Sequence, residues 1–127
     1  MVMTIEETLQ IALEAHRGQK DLDGMPAVLH PLAVGLMGCN DTEIKTGFLH
    51  DVVEDTAMTF EDLRGKGVEE DVLAALQLLT HDDGQDYFEY VRRIAGSGNI
   101  TAIHVKTNDL KHNLDRGLRT YARAEEQ

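Results

Sequence analysis

Cations are scarce in this chain: twelve lysines and arginines stand against 23 aspartates and glutamates, a formal net charge of −11. That balance excludes non-specific binding of a nucleic-acid polymer, whose affinity comes from neutralising phosphates with Lys and Arg. A phosphate-bearing ligand also approaches against the overall field, so local cations and a metal must reverse that field inside a pocket. Cysteine occurs once, as Cys39. No internal disulfide is therefore available, a usage that fits a reducing cytoplasm. With no motif around it, Cys39 is expected to be a small buried hydrophobe. No apolar run approaches the length of a membrane span. The opening Met1-Val2-Met3-Thr4-Ile5-Glu6-Glu7 lacks the basic segment and apolar run of a signal peptide. The expectation is a cytoplasmic protein with no membrane partner.

What is present reads as one helical domain over residues 1–127. Hydrophobic residues make up 42% and charged residues 28%, ordinary for a globular chain. The length allows about two-thirds of the unfolded surface to be buried. No stretch reads as a strand, and there is no repeat, low-complexity segment or interdomain linker. Thr4-Ile5-Glu6-Glu7 is a capping box that opens a helix with Ile5, Leu9, Ala12, Leu13 and His16 on one stripe. Residues 17–29 are glycine, aspartate and proline punctuation, a loop. Pro31 suits the first turn of a second helix reaching Met37, and Asn40-Asp41-Thr42 caps a third. Thr59 opens a short fourth helix closed by Gly65 and Gly67, and helices follow over 68–80, 84–95 and 100–114, with a polar tail from Ala122.

The informative stretch lies in the third helix, Gly47-Phe48-Leu49-His50-Asp51-Val52-Val53-Glu54-Asp55-Thr56. At roughly 100° per residue, His50, Glu54, Asp51 and Asp55 fall at about 0°, 40°, 100° and 140°, one polar arc. Asp51 and Asp55 also continue the stripe of Ile44 and Phe48, where a core-facing helix is expected to be apolar. Unpaired carboxylates there would cost several kcal/mol each. A bound cation compensates them economically. Leu29-His30-Pro31 supplies a second histidine, and Lys106, Asp109 and Asn113 share a face through their +3 and +4 spacing. Two imidazoles with two carboxylates form a mixed nitrogen and oxygen set suited to Mn, Fe or Zn.

At these residues the chain resembles the HD-domain metal-dependent phosphohydrolases, and within them the Rel/Spo-type alarmone hydrolases and their small stand-alone relatives. The matching pieces are Ala15-His16-Arg17-Gly18-Gln19, His30-Pro31, Leu49 through Thr56, Leu79-Thr80, and Val105-Lys106 with Asp109 and Asn113. They run in the family's order. The resemblance implies a compact all-α HD fold of roughly six to seven helices, where periodicity alone supports only a helical domain. It implies one divalent metal, manganese, held by His30, His50, Asp51 and Asp109. The metal would polarise a phosphoryl oxygen and lower the pKa of a bound water. Glu54 and Asp55 would manage protons, with acid and base undivided between them. Asn113 and Lys106 would contact the substrate, a small nucleotide such as (p)ppGpp, which would lose its 3′-pyrophosphate.

Plainer readings stand beside these roles. Lys106 as a neutraliser of nearby carboxylates is as good a reading as Lys106 on a phosphate. His16 on its apolar stripe reads as a hydrogen-bonded core histidine, with a place beneath the ligands open to it. His81, His104 and His112 have no ligand spacing, and Tyr87, Phe88 and Tyr90 read as a core stripe. The chain also departs from the family it resembles. Where that family has a basic pair that helps to hold guanine, this chain has Asp21 and Leu22, with Lys20 one position early. Relatives continue with further helix soon after the position of Asn113. Three alternatives to the alarmone reading follow: a phosphohydrolase for another nucleotide phosphate, a non-catalytic nucleotide-binding module, and a homo-oligomer that completes the pocket.

Overall fold

The structure is a computed structural model that describes residues 2–126. It holds eight helices: α1 (Ile5–Ala15), α2 (Leu29–Leu36), α3 (Asp41–Leu49), α4 (Val52–Asp55), α5 (Phe60–Gly65), α6 (Glu70–Leu79), α7 (Tyr87–Ala95) and α8 (Ile100–Glu126). No strand occurs among the described residues, and the all-α expectation is met. Among the described residues no helix is long and apolar enough to cross a membrane. Starts follow local chemistry. Thr4 and Thr59 close capping boxes with Glu7 and Asp62. Asn40 accepts the Glu43 amide, Asp86 that of Glu89, and Asn99 that of Ala102.

Three local expectations change. The helix expected to carry the His-Asp pair breaks there, so α3 and α4 are two segments. His50 Nδ1 lies 2.7 Å from the Gly47 carbonyl, the acceptor that a continuing helix would offer to the amide of Asp51. Asp51 and Asp55 therefore do not extend the buried stripe of Phe48; Asp51 is half-buried and Asp55 exposed. Cys39 is exposed rather than buried, because its amide donates to Glu43 Oε1 in the turn before α3. The last helix continues beyond residue 114 to Glu126, with an Asp115–Arg119 pair at i,i+4 in place of a breaker.

The core has two parts. Phe48, Leu49, Val52, Leu63, Leu73 and Leu76 fill one, joining α3 and α4 to α5 and α6; Val34, Leu79, Tyr90, Ile94, Ala102 and Val105 fill the other beneath α8. Helix α3 packs against α1, α2, α6 and α8, which makes it the centre of the domain. Where α2 crosses α3 the contact is glycine on glycine. A Cβ on Gly47 would sit 2.7 Å from both the backbone nitrogen and the Cα of Gly35, and one on Gly35 would run into the Phe48 ring. This close approach brings His30, on α2, and His50, after α3, to a ring-centroid separation of 5.2 Å.

Gly47→Ala should accordingly destabilise the fold by about 1–3 kcal/mol, the usual range for overpacking, although alanine is the better helix former. Denaturant melts check this. An unchanged or raised midpoint would show that α2 and α3 separate without cost and that the glycines do not set the histidine spacing.

Candidate metal centre

Three helices deliver the polar cluster. His30 sits in the first turn of α2, His50 and Asp51 in the break after α3, and Asp109 within α8. His30, His50 and Asp109 are each only 6% exposed. Asp109 Oδ1 lies 2.7 Å from His30 Nε2, 3.4 Å from His50 Nε2 and 3.1 Å from Asn113 Nδ2, while its Oδ2 accepts from Lys106 Nζ at 3.0 Å. Asp51 Oδ1 is 3.2 Å from His50 Nε2. Ligand atoms of His30, His50 and Asp51 all fall within 4.8 Å of one another, a group able to hold a metal ion. The structure thus brings His30, His50 and Asp51 together, with Asp109 against both imidazoles.

Tautomers sharpen the picture. His50 Nδ1 faces the Gly47 carbonyl and must carry a proton to use it. The neutral ring then turns a lone pair on Nε2 toward the oxygens of Asp51 and Asp109. That nitrogen is buried and has no hydrogen-bond partner. A lone pair facing carboxylates is repulsive unless a proton or a cation lies between them. The donor set, imidazole nitrogen with carboxylate oxygen, fits a divalent metal in that place.

Charges respond accordingly. Burial disfavours a proton on His50, but the neighbouring carboxylates of Asp109 and Asp51 outweigh it and raise its pKa above 6.5. Burial would raise the pKa of Asp109, yet the hydrogen bond from His30 and the neighbouring charges of His50 and Lys106 hold it far below the carboxylate range. For Lys106 burial is again overcome, here by Asp109, and its pKa rises. Its ammonium also lies 5.1 Å from the Tyr90 ring centroid and 5.7 Å from that of Tyr87.

Glu54 and Asp55 stand on α4 at the rim, open to solvent on one side. Glu54 Oε2 approaches the His81 amide at 3.5 Å. Partial burial, then the neighbouring charges of Asp55 and Asp51, raise the pKa of Glu54; partial burial and the charge of Asp51 raise that of Asp55. Asn113 is already committed: its amide nitrogen donates to Asp109 and its oxygen accepts from Arg116. A cleft of ≈ 230 Å³ joins His30, Asp51, Glu54, Asp109 and Asn113 to a wall of His81, Tyr87 and Tyr90.

Other neighbours of the cluster have no ligand spacing in the sequence. His112 Nδ1 lies 2.7 Å from His30 Nδ1 with the rings stacked, and burial together with the charges of His30 and Arg116 lowers its pKa. With His30 Nε2 facing the cluster, His112 decides which His30 nitrogen carries the proton. Its position three residues after Asp109, one turn along α8, was the available clue. Gln19 receives His16 Nδ1 at 2.9 Å and donates to the Asp55 carbonyl at 2.9 Å, so buried His16 supports α4 indirectly. His104 pairs with Glu43 instead. Of the aromatic trio only Tyr90 is buried; Tyr87 and Phe88 are exposed.

Fold and cluster together define a helical domain of the His-Asp type, and comparison with known proteins places it further. No family model matches the chain. The bifunctional (p)ppGpp synthase/hydrolase SpoT of Escherichia coli K12 is 30% identical over 125 residues, 89% of this chain and 18% of that protein. A GTP pyrophosphokinase of Streptomyces coelicolor is 45% identical over 64 residues, 47% of this chain and 8% of that one. A solved structure, of a metazoan ortholog of SpoT that hydrolyses ppGpp, superposes with a TM-score of 0.77 at 30% identity, covering 91% of this chain and 70% of that one. The chain belongs to the SpoT-related family. It spans less than a fifth of the length of these curated relatives.

A pH effect follows from the raised pKa of His50. Its stabilising proton is fully present below the unfolded value of about 6.5 and is lost as pH rises through the higher folded value. Chelator-treated wild type should therefore lose melting temperature as the pH rises above about 6.5 more steeply than His50→Gln. Equal slopes would place the responsible proton elsewhere.

Proposed function

We propose that this chain is a single-domain, divalent-metal phosphohydrolase that removes the 3′-pyrophosphate of guanosine tetra- or pentaphosphate, acting on a small nucleotide in the cytoplasm. The observation that carries the reading is the unpartnered, buried Nε2 of His50 turned toward two carboxylates. His30, His50, Asp51 and Asp109 would hold the metal, and manganese suits their nitrogen and oxygen donors. Bound there, a divalent ion supplies Lewis acidity and a nucleophilic water near neutral pH.

The remaining work falls to the chain's own groups. Asp109 stays ionised because two imidazoles and Lys106 neutralise it. Lys106, tied to Asp109 and resting over two tyrosine rings, favours the neutralising reading over the phosphate-binding one. Glu54 and Asp55, their pKa values raised above the ordinary carboxylate values by partial burial, can take a proton from the attacking water and return one to the leaving 3′-oxygen. The new bond joins the water oxygen to phosphorus, and the bond from phosphorus to the 3′-oxygen breaks. Pyrophosphate leaves, and GDP or GTP remains.

A second reading, hydrolysis of another nucleotide phosphate, is favoured by the 20–26 loop. Asp21 Oδ1 accepts the amides of Asp23 and Met25, so it holds the turn rather than a ligand. Leu22 projects fully into solvent and lines an outer cavity with Tyr121. Neither supplies a cation for guanine.

Two experiments test these readings. Metal analysis paired with turnover should find one divalent ion per chain in wild type, lost in His50→Ala. Glu54→Gln should retain the ion while turnover falls by about two orders of magnitude or more. Full metal content in His50→Ala removes the proposed centre, and metal loss in Glu54→Gln makes Glu54 a ligand instead. For selectivity, Leu22→Arg leaves the Asp21 turn intact and adds a planar cation. It should raise kcat/KM for the guanosine alarmone more than for its adenosine analogue. Equal gains would mean that the loop senses phosphate charge and not the base.

A further inference from the structure

On α8, Asp109, Asn113 and Arg116 occupy successive turns of one face, at i, i+4 and i+7. They are bonded in series. The Arg116 guanidinium donates to Asn113 Oδ1, and Asn113 Nδ2 donates to Asp109 Oδ1 at 3.1 Å. Arg116 also borders three adjoining cavities. The first is the ≈ 230 Å³ cleft of the His-Asp cluster. The second, ≈ 440 Å³, lies over Gln19, His30, Asp51 and Asp55. The third, ≈ 680 Å³, runs between Leu22 and Tyr121.

The other cations nearby are spoken for or more distant. Lys106 is bound to Asp109, and Arg123 faces Asp23. Lys20 reaches only the outer two cavities. Among the described residues Arg116 pairs with no carboxylate, and its one hydrogen bond, to Asn113, leaves most of its five donors uncommitted beside the cavities it lines. In a chain of charge −11, it is a point where an anion is attracted to the mouth of an acidic cleft. The inner cleft is smaller than the ~300–1,000 Å³ of ordinary ligand pockets. A nucleotide whose reacting phosphate enters that cleft must therefore extend past Arg116 into an outer cavity.

We propose that Arg116 receives the phosphates of the substrate remote from the reacting one, the 5′-diphosphate of a nucleoside polyphosphate, and that Asn113 transmits this contact to the orientation of Asp109. The proposal rests on the hydrolase reading above. Arginine suits the task, because its planar fork meets phosphate oxygens with two parallel hydrogen bonds. Arg116 is a binding residue in this scheme and Asn113 a positioning residue.

The test compares wild type, Arg116→Ala, Arg116→Lys and Asn113→Ala, each loaded with manganese. The substrates are guanosine tetraphosphate and guanosine 3′-diphosphate, which lacks the 5′-phosphates. Arg116→Ala should raise KM for the tetraphosphate about ten- to hundredfold, the scale of charged hydrogen bonds, and leave KM for the 3′-diphosphate nearly unchanged. Arg116→Lys should recover part of the loss. Asn113→Ala should lower kcat on the tetraphosphate while KM stays near wild type. An equal rise in KM on both substrates, or none, overturns the role of Arg116. Loss of metal or of melting temperature in Arg116→Ala that lysine fails to restore makes the residue structural and overturns it too. An unaltered kcat in Asn113→Ala overturns the coupling. If wild type turns over neither substrate, the hydrolase reading has failed. Calorimetry with inorganic pyrophosphate then decides separately: about tenfold weaker binding to Arg116→Ala supports the anion site, and equal binding overturns it.

Discussion

The site is organised around one buried carboxylate. Asp109 is surrounded from three helices: His30 from α2, His50 from the end of α3, and Lys106 and Asn113 from its own α8. A carboxylate removed from water has to be compensated where it stands. Here the compensation is shared among groups that only the packed domain brings together. The glycine contact between α2 and α3 makes this possible, since a side chain at Gly35 or Gly47 would push the two imidazoles apart. Fold and site thus depend on each other: the crossing places the histidines, and the histidines hold the charge that α8 buries.

Arrangement of charge matters more than its total. The chain carries an excess of eleven negative charges, yet Asp109 remains ionised beside two imidazoles and an ammonium, while Glu54 and Asp55 become harder to ionise a few ångströms further out. Carboxylates whose environments push their pKa values apart are suited to different tasks, one as a permanent anion and the others as proton carriers. The rings of Tyr87 and Tyr90 lie beneath the Lys106 ammonium, and Arg116 lines the same cleft.

The ordered His-Asp pieces were legible because the chemistry needs particular residue types, and these stand out inside apolar helices. His30, His50, Asp51 and Asp109 lie close together in the structure. The break at His50 was not legible. It arises when the imidazole claims the Gly47 carbonyl, a competition between side chain and backbone that periodicity does not register. The exposure of Cys39 likewise turns on a hydrogen bond from its amide to Glu43, itself held by His104 from a distant helix.

His112 and Arg116 show the boundary most clearly. Both lie on the Asp109 face of α8, and spacing alone put them there, but a helix face becomes a site only where another element covers it. The sequence by itself determined the helical class and the helix starts at Thr4, Asn40 and Thr59, because capping is a property of short stretches and single side chains. Tertiary structure alone decided that His112 meets His30, that Gln19 joins His16 to α4, and that Arg116 stands where three cavities meet. Those contacts join residues far apart in the chain, and their distances are set by how closely the helices pack.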